Sequence, residues 1–306
     1  MSQHMAVCGL LTCTCAVSLL LGQAPHAKVP GGGIPLRLEQ DVETRAIRIY
    51  REGSKEPVVT QNAILDNRPY LHPVVAPDGK GIITEYRPSH HPHQTGIYWG
   101  FRQVNGRDFF MKWQTENYRR VSADLVQPNG LRVRWRTVYD MLDEYGATVM
   151  TETQNWSMSD SGGKYVLDLE WRGEPKTDIT LGKFYVGGLF VRMPWHPGSR
   201  MEAVNAVGQR DQEAEQQRAI WTDMADRVEG RDDFVHIVVF DHPDNHDFPA
   251  PWRVDAQMGF GPNREGADWR LEKGKSELIR YRLIVYTGDL SPSEVTRAWK
   301  EFVKEY

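Results

Sequence analysis

The chain has 306 residues, a formal net charge of −4, and a composition 40 % apolar and 25 % charged. That length can bury a large core, as one β domain or two smaller ones, and the composition excludes wholesale disorder. With 37 basic against 41 acidic side chains, the sequence carries no basic footprint, and no nucleic-acid partner is expected.

Residues 5–21 are apolar or small, carry no charge, and run into Gly22-Gln23-Ala24. This resembles a secretory apolar segment followed by small residues at a cleavage site, although the leading region offers only His4 and Pro25 would follow the scissile bond. The competing reading is a buried N-terminal helix or a misplaced start. The expected organisation is a signal peptide over 1–24, a Pro/Gly-rich linker over 25–35 and a single domain over 36–306, secreted or periplasmic. Cys8, Cys13 and Cys15 all fall in the first segment, so the mature chain would have no thiolate chemistry and no disulfide. No later stretch approaches the ~20 apolar residues that span a bilayer, so no membrane span is expected after cleavage.

From residue 36 the dominant signal is alternation with period two. Strands are expected at 36–40, 46–51, 82–86, 97–101, 118–126, 131–139, 148–157, 165–171, 187–192, 219–224, 234–240, 252–258 and 279–286. Leu131, Val133, Trp135, Thr137 and Tyr139 share one face of their strand, and Tyr165, Leu167, Leu169 and Trp171 share one face of another. Residues 209–218 are polar all round and read as an exposed helix or a long loop. One helix is clear: Ser291-Pro292-Ser293-Glu294 supplies an N-cap, a Pro at N1 and a capping-box Glu, and Val295, Ala298, Trp299, Phe302 and Val303 form one apolar stripe. The expected fold is all-β, a large antiparallel sandwich, or its enlarged form seen in galactose mutarotases, with a C-terminal α-helix.

The densest polar cluster is Ser89-His90-His91-Pro92-His93-Gln94-Thr95-Gly96. On an extended segment the His91-x-His93 spacing places two imidazoles on one face, where they could share a divalent ion or act as an acid/base and its orienting neighbour. The plain alternative is loop histidines bonded to carbonyls. A second cluster holds Asp241, His242, Asp244 and Asn245, as oxygen ligands for calcium or as ordinary turn formers. His-Pro recurs at His72, His91, His196 and His242, more often than a random arrangement would give, and proline stiffens each loop. Trp99, Trp113, Trp195 and Trp252 lie near the polar clusters and suit stacking on a sugar ring or burial in a core. Glu85, Asp108, Glu170 and Asp223 are the carboxylates in reach of acid/base work, and Arg68, Arg192 and Arg253 suit a carboxylate or polyol clamp. Walker loops, nucleophile elbows, dinucleotide fingerprints and His-Glu-x-x-His are all absent.

Several motifs then recur in order: Arg68-Pro69-Tyr70 with His72-Pro73, Pro77-Asp78-Gly79, His91-Pro92-His93 with Gly96, Asn105-Gly106 with Asp108-Phe109, Gly187-Gly188-Leu189 with Arg192-Met193-Pro194-Trp195, Trp221-x-Asp223, and Asp241-His242-Pro243-x-Asn245 with Pro251-Trp252. Together they resemble the family of unknown function called "methane oxygenase PmoA" or PmoA-like, over nearly the whole chain after the linker. The resemblance implies an exported bacterial protein with no established reaction. The label is a misnomer for this chain, since the oxygenase subunit of that name is an integral membrane protein. The chain departs from the pattern at Phe110-Met111-Lys112 and at Gln94, which puts a metal site at those positions in doubt.

The functional expectation is a carbohydrate-active hydrolase, lyase or epimerase acting on a small sugar or an oligosaccharide. His91 or His93 would be the acid/base and Glu85, Asp108 or Asp223 its partner. Arg68, His72, Asn105, Arg192, Trp195, His242, Asn245 and Trp252 would bind substrate. The alternatives are a non-catalytic carbohydrate-binding sandwich, and an enzyme whose metal is held by His91, His93 and His242. The sequence requires no cofactor, and a divalent metal belongs only to that last alternative. All three readings need the loops around 70–110 and 190–255 to share a concave surface.

Overall fold

The computed structural model describes residues 32–112 and 116–306. The expected signal peptide over 1–24 with the three cysteines, most of the expected linker, and Trp113 lie outside the described residues. Two antiparallel sheets pack face to face. One has nine strands in the order Trp252–Asp255, Gly259–Pro262, Gly188–Arg192, Ile97–Gly100, Tyr70–Val74, Val59–Asn62, Ile47–Arg51, Leu36–Gln40 and Asn129–Gly130. The other has eight, in the order Glu202–Asn205, Trp221–Asp226, Val235–Asp241, Glu277–Thr287, Lys164–Pro175, Thr148–Asp160, Arg132–Leu142 and Tyr118–Gln127. A small ribbon pairs Ile179–Leu181 with Trp269–Leu271. The expected all-β sandwich is the architecture observed.

Alternation explains the core. Val133, Trp135, Thr137 and Tyr139 are buried at every second position of their strand, as are Tyr165, Leu167, Leu169 and Trp171 of theirs, because successive side chains of a strand face opposite sides. Across the sandwich, the Trp99 ring of one sheet stacks on Trp171 of the other, with centroids 4.5 Å apart and planes 12° apart. Buried indoles need acceptors. Trp135 donates to Gln61, Trp156 to Gln154 and Trp171 to Glu152. Burial pushes the Glu152 carboxyl up to about 7 against the donors Trp171 and Gln154.

The helix Pro292–Glu305 covers the outer face of the eight-stranded sheet. Val295 and Phe302 pack on Trp221, Val238, Phe240, Ile284 and Tyr286, which are outward positions of their strands. Its expected capping box is present: Ser291 Oγ accepts from the Glu294 N–H, and the Glu294 carboxylate accepts from the Ser291 N–H at 2.9 Å. Among the described residues no helix is long and apolar enough to cross a membrane.

One expected strand differs, and of the two readings of residues 209–218 the long loop is the one observed. Residues 82–86 make isolated bridges instead of a strand, because the Thr84 hydroxyl takes the Val74 N–H that a neighbouring backbone carbonyl would otherwise bind. Residues 209–218 hold only the single 3₁₀ turn Asp211–Ala214, which follows from a segment with no apolar stripe to dock.

Ser291→Ala is expected to destabilise the domain by about 1 kcal/mol through loss of the cap. Urea unfolding should show a lower midpoint with an unchanged slope.

Candidate functional site

Outward positions of the nine-stranded sheet build the floor. Tyr70 pairs with Tyr98 and Tyr98 with Phe190 in register across three strands, so three aromatic side chains lie in a row on the face away from the core. They are nonetheless buried, because loops fold over them and add Phe110 and Val186 to form a second apolar cluster. Close approach needs missing side chains. A Cβ at Gly100 would come within 3.0 Å of the Phe109 carbonyl, and one at Gly259 within 2.7 Å of the Phe190 ring. Gly96 turns the chain into the sheet with φ +80°, and a Cβ there would meet the Leu71 carbonyl at 2.3 Å.

Arg68 fastens the loops. Its guanidinium is fully buried, lies 3.7 Å from the centroid of the Tyr98 ring, and donates to the backbone carbonyls of Phe110 and His93. Burial pulls its pKa down. Arg192, also fully buried, donates to the Gln94 side chain and the Gln257 carbonyl. Asp108 shapes the neighbouring turn: Oδ1 accepts from the N–H groups of Phe110 and Met111, and Oδ2 pairs with Arg102 at 2.9 Å. Glu265 accepts from the N–H groups of Arg102 and Gln103 at 2.6 Å each, and burial still pushes it up to about 8.

Between these loops lies an open pocket of about 90 Å³, lined by the polar residues His91, His93, Gln94, Arg102, Arg253 and Asp255 and the apolar residues Phe110, Met111, Phe184, Tyr185, Val186 and Phe190. His91 and His93 meet edge to face with centroids 5.6 Å apart, and His90 continues the row at 5.1 Å from His91. Desolvation pulls the His91 imidazole below its ordinary value, with the Arg192 charge adding to the effect and Asp255 opposing it. His93 falls to about 3 for the same leading cause, with Arg68 next. Both rings are therefore neutral near pH 7. Arg253 is held by Glu215 at 2.5 Å and Asp255 at 3.3 Å.

Of the residues singled out in the sequence, His91, His93 and Arg253 line this pocket, and Arg68 and Arg192 lie behind its walls. His72 is on the same outer face, bonded to Thr84 at 3.0 Å and stacked on Tyr86, and burial lowers it to about 4. Trp195 is half-buried beside His90, with ring centroids 4.8 Å apart. Glu85 lies close to Arg192, with one carboxylate oxygen buried and unpartnered among the described residues and its pKa raised by burial.

The other assignments need correction. Trp252 is fully buried with its N–H on the Ala219 carbonyl, so neither ring face is open to a sugar. Asn105 spends its amide on Asp178 and Thr180. Asp223 faces the helix side of the other sheet, bonded to His236 and Tyr286 at 2.9 and 2.8 Å. Asn245 ties Asp241 to the backbone of Arg280, and Asp241 pairs with buried Arg264. His242 packs on Phe302 and Tyr306, across the sandwich from His91. The three-histidine metal set therefore does not form, and among the described residues no group of three His, Cys, Asp or Glu side chains could hold a metal ion. The four His-Pro loops do not converge either: His196 lines a separate cavity of about 380 Å³ with Arg200, Glu202 and Asp226, whose carboxyl burial raises to about 6.

Sequence reasoning missed Arg102, Asp255, Phe184, Tyr185 and Phe190 as pocket residues. A usable signal was present in Phe184-Tyr185, two adjacent aromatics before Gly187-Gly188.

Residues 33–300 match the model of a family of unknown function (DUF6807). The chain belongs to that family. Membership assigns it no reaction and no oxygenase name. No curated protein matches it in sequence. Among solved structures it is similar to the GH36 alpha-galactosidase AgaB from Geobacillus stearothermophilus, at TM-score 0.44 and 9 % identity over 83 % of this chain and 41 % of that one. It is also similar to the galactosidase domain of the alpha-galactosidase-sucrose kinase AgaSK, at 0.41 and 7 % over 82 % and 41 %. A polysaccharide lyase follows at 0.37 and 12 % over 85 % and 34 %. The chain spans about two fifths or less of the length of these proteins, and likenesses at this level bear on neither substrate nor mechanism.

A histidine kept neutral in the native state but free to protonate when unfolded lowers stability as pH falls. For His93 the loss begins near the ordinary value of about 6.5 and continues down to about 3, since the unfolded chain binds the proton first. His93→Gln should flatten stability against pH between 6.5 and 4, measured by urea unfolding, with the contribution of His72 remaining.

Proposed function

We propose that the protein is a carbohydrate-active enzyme whose site is the pocket over the nine-stranded sheet. The supporting observation is the mixed lining, in which Phe110, Phe184, Tyr185 and Phe190 stand together with His91, Gln94, Arg102, Arg253 and Asp255. A sugar ring has an apolar C–H face and a hydroxyl rim, and a lining of rings and hydrogen-bonding groups offers partners to both.

His91 is the proton acceptor in this reading. It is neutral near pH 7, and Asp255 lines the same pocket, where a carboxylate favours the imidazolium that proton uptake creates. His93, held much lower, stays neutral and orients ligand. Asp108 is a positioning residue for Arg102 and for the turn bearing Phe110. The reaction class is hydrolysis, elimination or epimerisation at a sugar carbon, all of which begin or end with proton transfer at such a group. Export to the periplasm or beyond accompanies this reading, as the apolar segment 5–21 suggests.

A second reading, binding without turnover, draws on the engagement of Asp108 and Asp223 in structural bonds, which removes two of the expected catalytic partners. The test is product analysis by chromatography after incubation with a panel of oligosaccharides. Wild-type turnover that falls at least ~100-fold in His91→Ala, with binding kept within a few fold, is the expected result. Undiminished turnover in that variant sinks the assignment, and binding without any product selects the second reading. Tyr185→Ala should weaken binding in either case.

A further inference from the structure

The hydrogen-bonding capacity around the pocket is lopsided. Arg68 Nε, Arg102 Nε and Arg192 Nη2 are buried and have no hydrogen-bond partner among the described residues, against one buried carboxylate oxygen left open nearby, Glu85 Oε2. Guanidinium nitrogens only donate. A native site that leaves several donors unmatched in one place is short of acceptors.

The charges point the same way. Four guanidinium groups surround the pocket: Arg102 and Arg253 in its lining, Arg68 and Arg192 behind it. Neither Arg68 nor Arg192 has a carboxylate within ion-pair distance among the described residues; their acceptors are carbonyls and the Gln94 side chain. The carboxylates nearby are engaged elsewhere. Asp108 holds Arg102 and two backbone N–H groups. Asp255 and Glu215 hold Arg253, and Glu265 takes the N–H groups of Arg102 and Gln103. Glu85 is the exception, near Arg192 with one oxygen open, but it is not among the residues lining the pocket. His90, His91 and His93 are all lowered by desolvation and add no positive charge near pH 7. Buried guanidinium groups project their field into the pocket through a medium less polarisable than water, where each counts for more.

We infer that the ligand is a sugar bearing an anionic oxygen group, a uronate carboxylate or a sulfate ester, with that group docked beside Arg102 in the field of Arg68 and Arg192. This rests on the carbohydrate reading of the pocket and names the ligand's charge class within it. Loop fastening accounts for Arg68, which bridges two carbonyls. It accounts less well for Arg192, because Nη2 is left without a partner although Gly259 provides the space in which it lies, a Cβ there coming within 3.2 Å of that nitrogen.

The experiment is a glycan array carrying matched neutral, uronate-bearing and sulfated oligosaccharides, followed by calorimetry on the hits. Anionic members should bind at least about 10-fold tighter than their neutral counterparts, and 0.5 M salt should shrink the margin to about 3-fold or less, as screening predicts. Arg102→Gln should remove the preference and Arg102→Lys should restore part of it, which separates a charge effect from misfolding. A preference confined to uronates or to sulfates identifies the source of the charge, and either supports the inference. Equal affinity for neutral and anionic members overturns the inference while leaving the carbohydrate reading intact. No binding to any member overturns both. A full preference retained in Arg102→Gln overturns the docking position.

Discussion

The architecture of the site depends on one buried cation. Arg68 lies against the Tyr98 ring and donates to the carbonyls of His93 and Phe110, so a single side chain joins the histidine loop to the Asp108 turn. Moving a guanidinium from water into a protein interior is costly unless its N–H groups find acceptors. Here the acceptors are backbone oxygens of the two segments that must be held. The same bonds that offset the desolvation of Arg68 fix the mouth of the pocket, and an apolar replacement would release both loops while leaving the sandwich beneath them intact.

That division between sandwich and loops also decides what the sequence could reveal. Strands such as Arg132–Leu142 and Lys164–Pro175 were legible because alternating burial requires alternating residue types. The C-terminal helix was legible because its cap and its apolar stripe are both local. Val59–Asn62 and Glu202–Asn205 were not, because each is four residues with neither an apolar run nor an aromatic side chain to mark it. The enlarged sandwich was open to inference; the register that aligns Tyr70, Tyr98 and Phe190 was not, since it depends on pairing between distant segments.

For the site, local chemistry located His91 and His93 but could not sort the remaining polar residues. Asp223, Asn245 and His242 carry the same chemical groups as a catalytic residue, and they face the helix or the edge of the other sheet. Trp252 shows the same limit: an indole beside prolines reads as a platform, and only its burial and its bond to Ala219 make it core. Arg102 and Asp255 were passed over for the opposite reason. Each is an ordinary charged residue until the fold places it against an aromatic side chain or an imidazole.

The two outer faces of the sandwich give this placement its meaning. On the eight-stranded sheet, cations and anions meet directly: Arg282 pairs with Asp168 and Glu305, and Arg280 with Glu170. On the nine-stranded sheet the two deepest arginines meet carbonyls and an amide instead. A face made for stability neutralises its charges within itself. Leaving full positive charge under neutral histidines costs stability that a purely structural surface has no reason to lose, since residues of similar size without charge pack at least as well. The uncompensated side of the molecule is also the side with the aromatic wall and the pocket, so the electrostatic imbalance and the concave surface locate function on the same loops by independent physical criteria.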